Sequence, residues 1–390
     1  MTHTNWSYPT AIRFGAGRIT ELAAACAESG IKRPLLVTDP GLAALPVTAS
    51  TLDLMEKGGL GRAIFHDVNP NPIEANMIAG VKVFRDNDHD GVIAFGGGSA
   101  LDCAKLIAFM ARQNRPVWDF EDVGDWWTRA VPDVTAPIIA VPTTAGTGSE
   151  VGRAAVITNE ASHEKKIIFH PTMLPAIVIA DPELTVGMPP FITVGTGMDA
   201  LAHCLEAFCA PTYHPMSEGI ALEGMRLVKE NLPVVFDDGA NIEARGHMMS
   251  AAAMGAVAFQ KGLGAIHSLS HPVGAHFNTH HGMTNAVFMP YVLAFNRPEI
   301  EDKLVRLGAF LGLGESGYPA IFDWVLEFRE YLGVPHTLDG LGVENADISV
   351  LASAAVKDPT AATNPRTLDE AAASRIFKAA LSGDFSKLGN

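Results

Sequence analysis

The chain has 390 residues, is 48% hydrophobic and carries a formal charge of −15. That length is more than one ordinary domain needs and suits two. The acidic excess argues against nucleic acid and anionic membrane surfaces as partners, though it leaves room for a local phosphate pocket.

The opening MTHTNWSYP lacks the basic start and apolar core of a signal peptide. No apolar run approaches the roughly 20 residues of a membrane helix. Cys26, Cys103, Cys204 and Cys209 form no CxxC pair, which fits reduced, buried thiols in a cytoplasmic protein.

A helix is expected over 19–29. PLLVTD (34–39), GVIAF (91–95), APIIAVP (136–142) and PAIVIAD (175–181) read as buried strands, with a helix over 100–113. Short β-rich runs alternating with amphipathic stretches imply a mostly parallel sheet flanked by helices. Past MPP (188–190) strand signals nearly vanish, and Ala/Leu/Met-rich patterns predict helices over 217–232 and 245–259. The expected architecture is an α/β N-terminal domain with a mostly parallel sheet, residues 1–186, and an all-helical second domain, residues 187–390. Active sites often lie in the cleft between two such domains.

Gly96, Gly97, Gly98 and Ser99 follow a strand and open a helix. Glycines let a ligand approach the main chain, and the free N–H groups of a helix start attract anions. The run is not GxGxxG, and alone it is equally compatible with a structural turn. PTTAGTGSE (142–150) is a second post-strand loop, whose Thr143, Thr144, Thr147 and Ser149 hydroxyls could bond phosphate; a solvated polar loop is the alternative. Asp39, ending a strand, is placed to accept from a ribose 2′-OH and repel a 2′-phosphate, favouring NAD over NADP. A turn-forming Asp before Pro40 is the plainer reading.

Asp199 and His203 are four apart and share one helix face. They lie off the apolar stripe of Met198, Leu201, Ala202, Leu205 and Phe208, beside Glu206, so an ordinary solvated face is the competing reading. His267 and His271 repeat the spacing; Pro272 bends or limits their helix, and His281 is read as lying in a loop before Gly282. With His276 and His280 nearby, these histidines form a cluster. Three imidazoles and a carboxylate suit a borderline divalent ion, Fe²⁺ or Zn²⁺.

The residues resemble the iron-containing (group III) alcohol dehydrogenases over essentially the whole chain. The matching segments are FGAG (14–17), VTD (37–39), NPNP (69–72), GGGSALDCAK (96–105), PTTAGTGSE (142–150), DPEL (181–184), GTGMDALAHCLEA (195–207), GLGAIHSLSHPVGAHFNTHHGMTNA (262–286) and NPR (364–366). The resemblance implies metal ligands Asp199, His203, His267 and His281, and places His271 near the substrate but off the metal. It implies that Gly96 to Ser99 hold the pyrophosphate with help from Asp102, that Asp39 faces the ribose, and that Asn71, Thr143, Thr144, Thr147 and Ser149 line the cofactor. A cofactor-contacting lysine is implied at Lys165 or Lys166, with spacing from Thr158 favouring Lys165. Gly152-Arg153 departs from the family's usual pattern.

The implied activity is reversible hydride transfer between a small alcohol and NAD, with the alcohol oxygen on the metal and His271 relaying its proton. The resemblance also implies that residues 1–186 are the α/β N-terminal dinucleotide-binding domain and residues 187–390 the all-helical metal-binding and catalytic domain. It implies homodimers or higher homo-oligomers, with an edge strand expected near residues 8–14. Glycerol, diol and hydroxy-acid dehydrogenases are alternatives within the superfamily. A dehydroquinate-synthase-like lyase is a more distant one, disfavoured because the His-rich site is poor in Lys and Arg.

Overall fold

The computed structural model describes Tyr8 and residues 10–388, apart from positions 132, 163 and 316. The described chain separates into two compact units, Tyr8–Gly187 and Met188 onward.

In the first unit, β1 (Ala11–Phe14), α1 (Leu22–Glu28), β2 (Pro34–Val37), α2 (Pro40–Ala43), α3 (Pro46–Lys57), β3 (Ile64–Phe65), α4 (Glu74–Asp86), β4 (Gly91–Gly96), α5 (Gly98–Met110), β5 (Ile138–Pro142), β6 (Ala154–Asn159), β7 (Glu164–Phe169) and β8 (Ile177–Ala180) follow in order. Six strands form one sheet in the order β1-β8-β5-β4-β2-β3, every pair parallel. β2, β4, β5 and β8 are buried along their whole length. A sheet covered on both faces needs continuous apolar runs rather than alternation, and PLLV, GVIAFG and IVIA supply them. Leu36, Ile93, Phe95, Ile139, Val141, Ile177 and Ile179 form one core with Leu22, Cys26 and Met55 of α1 and α3.

The chain leaves β2 toward β3 and leaves β4 toward β5, on opposite sides, so strand order reverses between β2 and β4. Ligands of open α/β sheets bind outside the carboxyl ends of the strands at such a point. Asp39 follows β2 and Gly97 follows β4.

β6 and β7 pair as a separate antiparallel hairpin, Thr158 opposite Lys165 and Ile157 opposite Lys166, which the sequence reading did not anticipate. Its residues are mostly half-buried, so the apolar alternation is weak. Arg153, at its base, lays its guanidinium 5.4 Å over the Phe169 ring, giving the departure at this position a packing role.

The second unit is helical: α6 (Pro190–Cys209), α7 (Pro215–Asp237), α8 (Ile242–Ala258), α9 (Ala265–Phe277), α10 (His281–Leu311), α11 (Tyr318–Tyr331), α12 (Ile348–Lys357) and α13 (Glu370–Ser382). α6 lies at its centre, packed on α7, α8 and α10. Sixteen of the 20 residues of α6 are buried, and Leu201 and Phe208 are fully so. Each such side chain contributes roughly 1.5–3 kcal/mol of transfer free energy. Pro272 does not end α9, which continues through it to Phe277.

Candidate active site

Two glycine contacts bring α10 against α6. A Cβ on Gly282 would sit 2.0 Å from the Gly195 carbonyl oxygen and 3.0 Å from Asp199 Cβ, and one on Gly195 would strike the His280 ring at 2.4 Å. His280 caps α10, its Nδ1 accepting the Met283 N–H. His281 is therefore the first residue of α10, not a loop residue, and Asn285 follows one turn later on the same face. On the other side of α6, Gly255 of α8 lies so close that an added Cβ would approach His203 Cβ to 2.9 Å.

The result is a convergence. Asp199 and His203 are 3% and 4% exposed, so the solvated-face reading is excluded. The Nε2 atoms of His203, His267 and His281 lie 3.8, 3.6 and 3.6 Å from Asp199 Oδ1. Ligand atoms of Asp199, His203 and His267 all fall within 4.8 Å of one another. Ligands about 2.1 Å from one tetrahedral ion stand about 3.4 Å apart, so the three distances to Asp199 suit a shared divalent cation, while His281 lies outside the mutual 4.8 Å group and would have to draw closer. The donor set, one carboxylate and three imidazoles, fits Fe²⁺ or Zn²⁺.

Three neighbours of this cluster were missed by the sequence reading as site residues. Asn285 Nδ2 donates to Asp199 Oδ1 at 2.8 Å and lies 3.2 Å from both His267 Nε2 and His281 Nε2; its i+4 spacing from His281 was the available signal. Glu206, three residues after His203 and 5% exposed, bonds His267 Nδ1 at 2.5 Å. Asp358 bonds His271 Nδ1 at 2.7 Å from 87 residues away, and no local pattern marks that partner. His271 also stacks on His281, ring centroids 5.3 Å apart.

Electrostatics follow from this crowding. Burial opposes charge on Asp199, yet His203, His281 and His267 hold its carboxyl far below the usual range. Burial would depress His267, but Glu206 and Asp199 outweigh it and raise the imidazole to about 9. Burial likewise works against Asp358, whereas His271 and Thr360 hold it down at about 2.

In the α/β unit the post-strand loops meet. Gly96 has φ +147°, a conformation glycine tolerates, and a Cβ there would meet Ala100 at 2.7 Å. Added Cβ atoms on Gly97 and Gly98 would lie 3.3 Å from Thr144 Oγ1 and 2.6 Å from Thr147 Oγ1, so the glycine turn and the second loop are in contact. Ser99 Oγ donates to the Pro70 carbonyl at 2.5 Å, tying in the segment that carries Asn71. No side chain caps α5, whose first-turn N–H groups form the kind of site that anions favour. Thr143 is buried after β5. Asp39 Oδ1 caps α2 through the Leu42 N–H at 2.9 Å, so the turn-forming role is real.

Asp102, early in α5, bonds within the α/β unit. Its Oδ1 accepts Ser149 Oγ at 2.5 Å and its Oδ2 accepts the Val156 N–H at 2.9 Å. Lys105, 1% exposed, lies 3.3 Å from the same carboxylate and donates to the Ser149 carbonyl at 3.0 Å. Asp102 and Ser149 thus brace the second loop from beneath. Lys166 is paired with Glu164 at 2.9 Å and Glu121 at 3.3 Å, and Lys165 projects to the opposite face of the strand.

Comparison with known proteins agrees with this architecture. Residues 9–182 match the model of the iron-containing alcohol dehydrogenases and residues 193–381 that of the C-terminal region of the same family. A 4-hydroxybutyrate dehydrogenase of Cupriavidus necator is 39% identical over 95% of this chain and 98% of its own. The crystal structure of a 1,3-propanediol oxidoreductase superposes with a TM-score of 0.92 at 32% identity, covering 97% of this chain and all of that one. A sulfoacetaldehyde reductase from Bifidobacterium kashiwanohense, solved with NAD+, gives 0.88 at 28% identity over 98% of this chain and all of its own. With both halves matched in order, the chain belongs to the iron-containing alcohol dehydrogenase family.

Proposed function

We propose that the protein is an NAD-dependent alcohol dehydrogenase that interconverts a small alcohol and its aldehyde or ketone by hydride transfer. The observation that carries this reading is the approach of three imidazole nitrogens to one oxygen of Asp199 within 3.8 Å, in a chain of this family. Asp199, His203, His267 and His281 would hold the divalent ion, Fe²⁺ first and Zn²⁺ second. The ion, when bound, acts as a Lewis acid that lowers the pKa of the alcohol hydroxyl and favours hydride release from its carbon.

The remaining work belongs to the chain. His271, held by Asp358, would move the alcohol proton toward solvent. The N–H groups of the Gly97–Ser99 turn would bind the pyrophosphate, with Thr143, Thr144 and Thr147 along its flank and Asn71 and Lys165 contacting the cofactor. Asp102 and Ser149 support that flank from below. Asp39 would select NAD through the ribose.

Identity to a 4-hydroxybutyrate dehydrogenase favours an ω-hydroxy acid as the substrate to try first, with simple alcohols and diols beside it. Four buried free cysteines suit a reducing cytoplasm, and none of the described helices is long and apolar enough to cross a membrane. β1 pairs with β8 along one edge and exposes Ile12 and Phe14 at 40% and 47%, which suits pairing between copies in a homodimer. The test is NADH formation from 4-hydroxybutyrate, 1,3-propanediol and ethanol by iron- and zinc-loaded protein. A dehydrogenase accumulates NADH; a lyase that recycles its cofactor accumulates none.

A further inference from the structure

We infer that Glu206 is the positioning residue that makes His267 a metal ligand, its two carboxylate oxygens fixing the imidazole and the helix that carries it. This rests on the metal site proposed above. Oε2 accepts from His267 Nδ1 at 2.5 Å, and Oε1 accepts the Ile266 N–H at 2.6 Å. The preceding donor, Ala265 N–H, goes to Asn364 Oδ1 at 3.0 Å. A helix start leaves its first N–H groups without intrahelical partners, and α9 has no capping side chain of its own. Glu206 and Asn364, both buried, take that place from α6 and from the NPR segment.

The residue before α9 has to be glycine for the same reason. A Cβ on Gly264 would come within 2.7 Å of Asn364 Oδ1 and 3.0 Å of Glu206 Oε1. An anion at a helix N-terminus is itself favourable. Its second oxygen fixes the imidazole tautomer: with the proton kept on Nδ1, Nε2 is left as the donor atom for a cation shared with Asp199 Oδ1, 3.6 Å away. A carboxylate behind a ligating histidine also makes it a stronger donor, and losing one typically weakens metal affinity 10- to 100-fold. Glu206 lies on α6 three residues after His203, so one helix supplies two ligands and orients a third.

Asn364 gives the contrast, because it caps the same helix without touching His267. The experiment measures Co²⁺ and Zn²⁺ affinity by chelator competition, with the Co²⁺ absorption spectrum and urea stability of the metal-free protein, for wild type, Glu206→Gln and Asn364→Ser. Gln keeps an acceptor for the Ile266 N–H but not the charge. The expected result is near-wild-type folding of Glu206→Gln with affinity reduced about 10- to 100-fold and an altered Co²⁺ spectrum. Asn364→Ser should lose stability and keep its affinity within a few-fold. Equal affinity in Glu206→Gln and wild type, with wild type binding tightly, overturns the role of Glu206 alone. A wild type that binds neither ion overturns the metal site with it. Should Glu206→Gln fail to fold, nitrogen NMR of histidine in Zn²⁺-loaded wild type decides: His267 protonated at Nδ1 supports the inference, and metal bound through Nδ1 refutes it.

Discussion

At the scale of single residues, Asp39 is the proposed selector of cofactor and Glu150 a source of pH response. If Asp39 bonds the ribose, Asp39→Gly removes a charged acceptor, and hydrogen bonds of that kind contribute roughly 1.5–3 kcal/mol. The NAD-over-NADP ratio of kcat/KM should then fall about 10- to 100-fold, while glycine still serves as an acceptable cap for α2. An unchanged ratio would leave Asp39 as a cap only. Glu150, in the second loop, is raised by burial from 4.5 to about 7, against its own backbone N–H and Lys105. Below about pH 4.5 it is protonated folded or unfolded, so it is neutral to stability there. As pH rises toward 7 the unfolded chain ionises first, and the native state loses up to roughly 3 kcal/mol. Glu150→Gln should therefore be more stable than wild type at pH 8 by up to that amount and equal to it near pH 4.5, as read by urea unfolding. A gain independent of pH would show that ionisation is not the cause.

At the scale of elements, the site depends on how closely α10 approaches α6. Gly282→Ala places a methyl group 2.0 Å from a backbone carbonyl oxygen, which no side-chain rotation relieves. Overpacking of this kind costs about 1–3 kcal/mol, and a retreat of α10 from α6 would carry His281 and Asn285 away from Asp199. Metal affinity should fall at least tenfold along with stability. A variant that loses stability but keeps its affinity would show that α10 has little to do with the ligand cluster.

Across the whole molecule, the phosphate-type loops lie in the α/β unit and the histidine cluster in the helical one. Stripping metal with a chelator should abolish NADH formation and leave NAD affinity within about threefold, since the anion-attracting turn needs no ion; calorimetry separates the two. Much of this was legible in the sequence because burial on both faces writes strands such as PLLV as unbroken apolar runs, and because His267, His271 and His281 sit near one another in the chain. The β6–β7 hairpin was hidden by half-buried, mixed residues. The bonds of Asp102 to Ser149 and Val156 were not legible, because they span 47 and 54 residues. Glu206 and Asp358 act through partners 61 and 87 residues away, a distance that only folding closes. The central claim is that Asp199, His203, His267 and His281 together hold one catalytic cation. Elemental analysis of purified wild type, Asp199→Ala and His267→Ala, paired with NADH formation, tests it most directly. The account expects about one iron or zinc per wild-type chain, and in each variant the loss of metal and of turnover together; a variant that keeps both would contradict it.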